Sequence, residues 1–238
     1  MKFILPLLLS FNLSHAKETY RAVTVSTLPA PLILNSNIST DGLVSDYLKA
    51  LAEEMNIDLK IELLSRFRID SKEETYDLNC YSSYSWNYHP ADFSWSKPLF
   101  TKKEIIVGTK PLPANLQEFS GEEIGTLTGY KYPALDKTFR ENKLHRTDVE
   151  NEVQNFQKLI HDRISFIVTD DMLIAYFKKN NPKVAKMIRN EFLVESEYPI
   201  QCAIRKGSKL TIARVNKAIE ALITSGKMER ILKSYISF

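Results

Sequence analysis

Tyr76–Phe100 reads YDLNCYSSYSWNYHPADFSWSKPLF. Eight of these 25 residues are aromatic, including both tryptophans of the chain, Trp86 and Trp95, against 11% aromatic residues overall. Asp77 to Tyr81 has the pattern of a short strand, and the residues after Tyr81 are too rich in Ser, Asn, His and Pro to continue one. A solvated loop has no use for two Trp. Two readings fit: a loop that turns Trp86, Trp95 and Tyr84 toward a ligand, or one pinned to its own domain by aromatic packing.

On the amino-terminal side, Tyr20 to Ser26 (YRAVTVS) alternates as a strand and runs into Leu28-Pro-Ala-Pro. Leu43, Val44, Tyr47, Leu48, Leu51, Ala52 and Met55 then share one helical face, with Ser39, Thr40 and Asp41 as cap candidates. Ile57 to Leu64 alternates again. Strand, helix, strand is the signature of a parallel α/β unit. On the carboxyl-terminal side, Glu104 to Thr109 is an apolar strand followed by Lys110-Pro-Leu-Pro, which reads as an exit from the first lobe.

A second alternation comes next. It comprises a strand at Glu123 to Leu127, a turn at Thr128-Gly129-Tyr130, a helix from Tyr132 to Asn142, a brief strand at Leu144 to Val149 and a helix around Val153 to Ile160. Ser165 to Thr169 is a buried strand and Asp171 to Lys179 a helix. Phe192 to Glu197 and Ile200 to Arg205 read as two strands parted by Tyr198-Pro199. Ile212 to Ile223 and Met228 to Ile236 are amphipathic helices broken at Ser225-Gly226.

Met1-Lys2, the apolar run Phe3 to Leu13 and Ser14-His15-Ala16 form a secretory signal peptide, with cleavage expected after Ala16. This implies an exported protein of a Gram-negative periplasm. In that oxidising compartment Cys80 and Cys202 are either disulfide-bonded or two buried thiols, and they are too few for a metal site. The net charge of +3 is spread without a basic stripe, which argues against nucleic acid.

The order of elements resembles the family 3 extracellular solute-binding proteins, of the amino-acid-binding type. The resemblance rests on Asp41-Gly-Leu-Val-Ser-Asp46 before YLKALAEEMN, on Tyr76-Asp77, on Trp95-Ser-Lys-Pro-Leu, on IGTLTG, on Asp171 after a strand, and on Ile204-Arg-Lys-Gly-Ser-Lys-Leu before Val215-Asn216. It implies a two-lobe α/β periplasmic-binding-protein-like fold of type II, each lobe a mainly parallel sheet flanked by helices. Residues 17–109 and 199–238 would form lobe 1, residues 110–198 lobe 2, with two hinge crossovers and the ligand in the cleft between. In that topology the strands of Cys80 and Cys202 are neighbours, which implies a disulfide.

The resemblance also implies site residues. Family members grip an α-carboxylate with an Arg six residues before the Phe of Phe-Ser-x-Pro. Here that position is His89, and no Arg lies between Tyr76 and Phe100. Neutral His cannot imitate the guanidinium fork, so the expected ligand is a small polar or aromatic-stacking molecule other than a standard α-amino acid. Arg66 and Arg68, after the second strand, are the substitute cations, each otherwise a solvated loop charge. Gly129 and Tyr130 occupy the strand-turn-helix junction that holds an anionic group in relatives, where Gly129 is otherwise a plain turn glycine. Asp171, with Asp170 as fallback, matches the acidic partner of a ligand ammonium and is equally a helix cap.

Catalytic motifs such as G-x-S-x-G and H-E-x-x-H are absent from the sequence. The expectation is a monomeric binding protein without cofactor, serving an inner-membrane ABC permease or a sensor receptor. The alternative is a dehydratase-like enzyme on the same scaffold.

Overall fold

The computed structural model describes residues 16–35, 41–71 and 73–236. Residues Met1 to His15 of the expected signal peptide, and the cap candidates Ser39 and Thr40, lie outside them. Strand β1 (Thr19–Val25), helix α1 (Leu43–Met55) and strand β2 (Asp58–Leu64) form the expected unit, with β1 and β2 parallel from Thr19 opposite Asp58 to Val25 opposite Leu64. β1 sends Ala22 into one core and Val23 into another, as the two-residue period of a strand requires.

Helix α1 is capped by Gly42 rather than by Asp41. Gly42 has φ 123° and lies so close to the preceding turn that a Cβ would meet the Leu32 carbonyl oxygen at 2.5 Å. The turn supplies what a side-chain cap would: Leu43 N donates to the Pro31 carbonyl (2.9 Å) and Val44 N to that of Leu32 (3.2 Å).

Arg66 and Arg68 do not sit in a loop, because a short helix α2 (Arg66–Asp70) forms there, capped by Ser65. Strand β3 (Leu78–Ser82) comes next, then two single-turn 3₁₀ segments and a short strand β4 (Phe93–Trp95) inside the stretch expected to be all loop. Strand β5 (Phe100–Gly108) pairs with strand β8 (Phe166–Asp170) on one side and with strand β9 (Leu193–Arg205) on the other. Strand β6 (Glu122–Leu127) joins β8 to β7 (Leu144–Val149), both pairings parallel.

The strand order is β2-β1-β3-β9-β5-β8-β6-β7, with β4 also on β9. β9 belongs to both halves: Leu193 to Ile200 pairs with β5, whereas Gln201 to Arg205 pairs with β3 and β4. Residues 193–205 therefore form one strand, not two parted by Tyr198-Pro199. Pro199 stands opposite Thr101 inside the run paired with β5, next to the end of that run at Ile200, after which β9 changes partner. β5 pairs only within the second half, so the chain crosses at Leu99–Phe100, not after Thr109 as the Pro pair implied.

The expected helix from Tyr132 to Asn142 is reduced to α3 (Asp136–Arg140), preceded by turns. Helices α4 (Glu152–Ile160), α5 (Asp171–Asn180) and the single turn α6 (Pro182–Ala185) complete the second half; α7 (Ile212–Thr224) and α8 (Lys227–Tyr235) return to the first. α1, α7 and α8 cover one face of the first sheet through Leu48, Leu51, Val215, Ile219, Leu222 and Met228. In the second half, Ile105, Val107 and Ile167 face Phe156 and Leu159, whereas Ile106, Phe166 and Val168 face Phe119 and Leu135.

Cys80 and Cys202 are disulfide-bonded and join β3 to β9 beside the partner change. Several sequence signatures prove to be staples around this point. Ser96 Oγ accepts from Cys202 N (2.8 Å), and Asn216 Oδ1 accepts from Lys97 N (2.8 Å), tying the Trp-Ser-Lys-Pro turn to α7. Asp77 accepts from Arg21 N (2.7 Å) and from Ser208 Oγ (2.6 Å).

Candidate functional site

The carboxyl ends of the parallel strands β6 and β8 meet the loop after β3 at the seam between the two sheets, the place where open α/β sheets bind ligands. Across this seam the register places Ser196, Glu104 and Asp170 side by side on β9, β5 and β8, with Lys102 and Tyr198 as the next pair. The Lys102 ammonium lies 3.0 Å from Glu104 Oε1 and 3.4 Å from Asp170 Oδ2, and its side chain is 12% exposed. Burial alone would lower its pKa; Asp170, Tyr81 and Glu104 reverse that and hold it well above the ordinary lysine range.

The aromatic side of the seam comes from the first half. The Trp86 ring packs against Tyr198 (5.1 Å between centroids) and Tyr81 (6.2 Å), and it lies 5.2 Å from the Lys102 ammonium. The second half contributes Glu152, the first residue of α4. Its Oε2 is sealed from solvent without a hydrogen-bond partner. Burial, then the charges of Asp170 and Glu104 against that of Lys102, push its carboxyl up to about 8. Asp171 is raised to about 6 by burial and by Asp170, despite accepting from Lys103 N (3.3 Å) and Met172 N (2.9 Å).

Four carboxyl groups thus stand against one ammonium on a surface walled by Trp86, Tyr81 and Tyr198. No group of three or more His, Cys, Asp or Glu among the described residues is placed to hold a metal ion. A cation placed on such a surface would gain from the carboxylates and from the ring faces together.

The residues singled out from sequence divide. Trp86 faces the seam. Tyr130 is 53% exposed beside it. Burial of its phenol raises that group's pKa, and the charges of Lys102, Glu152, Glu104 and Arg66 all reach it. Asp170, not Asp171, is the cap of α5: its Oδ1 accepts from Met172 N (2.8 Å) and Leu173 N (3.2 Å), leaving Oδ2 for Lys102. Gly129 has φ 78° with open space where a Cβ would be, so the turn requires glycine there. No helix begins at that turn, since α3 starts only at Asp136, and the expected helix N-terminus for an anion is missing.

Trp95 instead packs on the core of the first sheet with Phe93 (6.1 Å), donates from Nε1 to the Pro90 carbonyl (3.0 Å) and supports Tyr84 (5.7 Å). His89 is exposed and lines a cavity of about 20 Å³ behind the loop with Asp70, Asp92 and Arg205. Arg68 is held by Glu74 (2.6 Å), which also pairs with Arg21. Arg66 pairs with Asp70 (2.8 Å), and it also donates to the Trp86 carbonyl (3.1 Å) and approaches the Tyr88 ring (6.0 Å). Of the two arginines it is the one attached to the aromatic loop.

Sequence reading did not find Lys102, Glu104, Glu152, Tyr81 or Tyr198. Lys102 and Glu104 occupy alternate positions on the polar lead-in of β5, which looks like a solvated strand end. Glu152 looks like an acidic residue favoured by the dipole of its helix. The usable signal was the two-residue period that puts Lys102 and Glu104 on one face.

A family model described as bacterial extracellular solute-binding proteins, family 3, matches residues 21–238. The chain belongs to this family. Members of this solute-binding family are extracellular or periplasmic, bind small molecules and work with ABC permeases. Among solved structures the chain resembles an ancestral arginine-binding protein bound to arginine, with 20% identity, TM-score 0.69, and 94% of this chain and 100% of that chain covered. It also resembles substrate-binding domain 2 of GlnP from Lactococcus lactis in its open conformation (18%, TM-score 0.71, 92% and 96% covered). The unliganded L-cystine receptor of Neisseria gonorrhoeae is similar at 14% identity and TM-score 0.71, with 92% and 93% covered. These likenesses establish the two-lobe fold. No curated protein sequence matches the chain. Among the described residues no helix is long and apolar enough to cross a membrane.

Proposed function

We propose that this solute-binding protein captures a small cationic molecule in the cleft between its lobes and presents it to a membrane partner, an ABC permease or a sensor receptor. The observation that carries the reading is the gathering of Glu104, Asp170 and Asp171, with the Glu152 carboxyl, around the Lys102 ammonium, which itself lies against the Trp86 ring. Net negative charge beside aromatic faces favours an amine, a guanidinium or a quaternary ammonium over an anion. His89, where relatives place an arginine for the α-carboxylate, is exposed and lines a separate small cavity. That supports a ligand held through its cation rather than a standard α-amino acid held by both ends.

A thermal-shift panel tests this: primary amines, guanidines and quaternary ammonium compounds against zwitterionic amino acids, sugars and carboxylic acids. A ligand specific to the folded state raises the Tm by mass action. Cations are expected to raise it; a panel in which only zwitterionic amino acids or anions act refutes the cation reading.

A second reading has one observation in its favour. Glu152 carries its proton at neutral pH inside a ligand cleft, the condition of a general acid. Another structural relative is an ancestral amino-acid-binding protein described as a precursor of cyclohexadienyl dehydratase (18% identity, TM-score 0.64, 92% and 95% covered). Incubating any ligand found above with the protein and recovering it unchanged, by mass spectrometry, disposes of the enzymatic reading.

A further inference from the structure

The Lys102 side chain reaches from β5 into the seam and ends among groups that would hold a ligand's cation. Its ammonium has the Glu104 carboxylate at 3.0 Å and that of Asp170 at 3.4 Å, with the Trp86 ring at 5.2 Å. Trp86 is held in turn by Tyr198 and Tyr81. Two carboxylates and a ring face on three sides of one ammonium make a complete cation cage. The cage is filled by the chain itself, and Glu152 Oε2 remains beside it without a partner. A lysine carries its charge on a flexible four-carbon stem, so its head group can leave while its backbone stays in the strand.

We propose that Lys102 is a tethered occupant of the cation subsite: its ammonium neutralises Glu104 and Asp170 when the protein is empty and is displaced when a ligand cation enters. This deepens the cation reading of the cleft and rests on it. A ligand must compete with a side chain already attached, so the observed affinity is the intrinsic affinity of the cage reduced by the fraction of time Lys102 fills it. Lys102 is then a specificity device. Weak monovalent cations fail to displace it, and ligands succeed that add a contact the lysine cannot make, such as a second donor for Glu152.

The experiment uses Lys102→Ala and the ion its truncation removes, propylammonium. The variant is expected to bind propylammonium saturably, seen as a rise in Tm, at least tenfold more tightly than the wild type, with 1-propanol inactive and the effect abolished by adding Asp170→Asn. Equal response of variant and wild type, or an equal response to 1-propanol, overturns the proposal. So does binding of propionate by the wild type that Lys102→Ala loses, which would make Lys102 a grip for an anion.

If Lys102→Ala does not fold, the wild type decides. With ¹⁵N,¹³C-lysine labelling, the Lys102 side-chain resonances are expected to carry a ring-current shift that Trp86→Leu removes and that a saturating diamine, 1,4-diaminobutane, whose second ammonium can donate to Glu152, moves toward the free-lysine position. Resonances unaffected by either change contradict the tether. Propylammonium binding in the variant, with no response of the wild type to any larger cation, would leave the cage standing and refute the functional reading alone.

Discussion

Glu152 shows how one residue can matter to both the ligand and the fold. Its carboxyl is pushed up to about 8 from an ordinary 4.5 by burial, reinforced by Asp170 and Glu104, and Asp171 is raised to about 6 from 3.8. The folded state therefore binds both protons more tightly than the unfolded chain does. Their stabilising contribution is full below the unfolded values and is lost as pH rises through the window ending at about 8. Glu62 acts in a different window: hydrogen bonding to Arg21, working against burial, holds it down at about 2, so its contribution is lost only as pH falls below the ordinary carboxylate range. Glu152→Gln is accordingly expected to flatten the decline in Tm between about pH 5 and 8 and to raise the Tm by a few degrees at pH 8, roughly 1–2 kcal/mol for a chain of this size. An unchanged slope in a pH series of melting curves would show that Glu152 is not buried in the way described.

At the scale of elements, β9 holds the two halves together and Cys80–Cys202 fastens it to β3. The bond spans 122 residues of sequence, so it removes much of the freedom of the unfolded chain. The paired replacement Cys80→Ser with Cys202→Ser is expected to cost about 2–5 kcal/mol, a fall in Tm of roughly 5–15 °C. Urea melts of reduced and oxidised protein check it, and coincident curves would rule it out.

The elements were mostly legible in the sequence because β1, α1, β2, β6 and α7 each carry an unambiguous apolar period. What was hidden depended on partners. A proline marked the end of a strand at Tyr198-Pro199, yet β9 runs through it, with Tyr198, Pro199 and Ile200 opposite Lys102, Thr101 and Phe100 of β5. Tyr132 to Asn142 had helical composition, yet Ala134 N donates to the buried Glu195 (3.0 Å) and the segment folds as turns before α3. The site was the least legible part, because Lys102, Glu104 and Glu152 acquire meaning only when β5, β8 and the start of α4 converge.

For the whole molecule, the aromatic loop from one half and the carboxylates from the other meet at a seam crossed twice, at Leu99–Phe100 and along β9. A ligand held by both halves draws them together, which makes closure a consequence of binding. A ligand cation that replaces the Lys102 ammonium and also donates to Glu152 brings positive charge closer to that carboxyl than the lysine did, which favours its ionised form and lowers its pKa. Isothermal titration of the best cation from the panel, in buffers of different ionisation enthalpy between about pH 6 and 8, counts the protons exchanged. Proton release on binding, with an affinity that tightens as pH rises across that range, is the expected result; proton uptake, or an affinity that weakens, would contradict a cation-binding cleft.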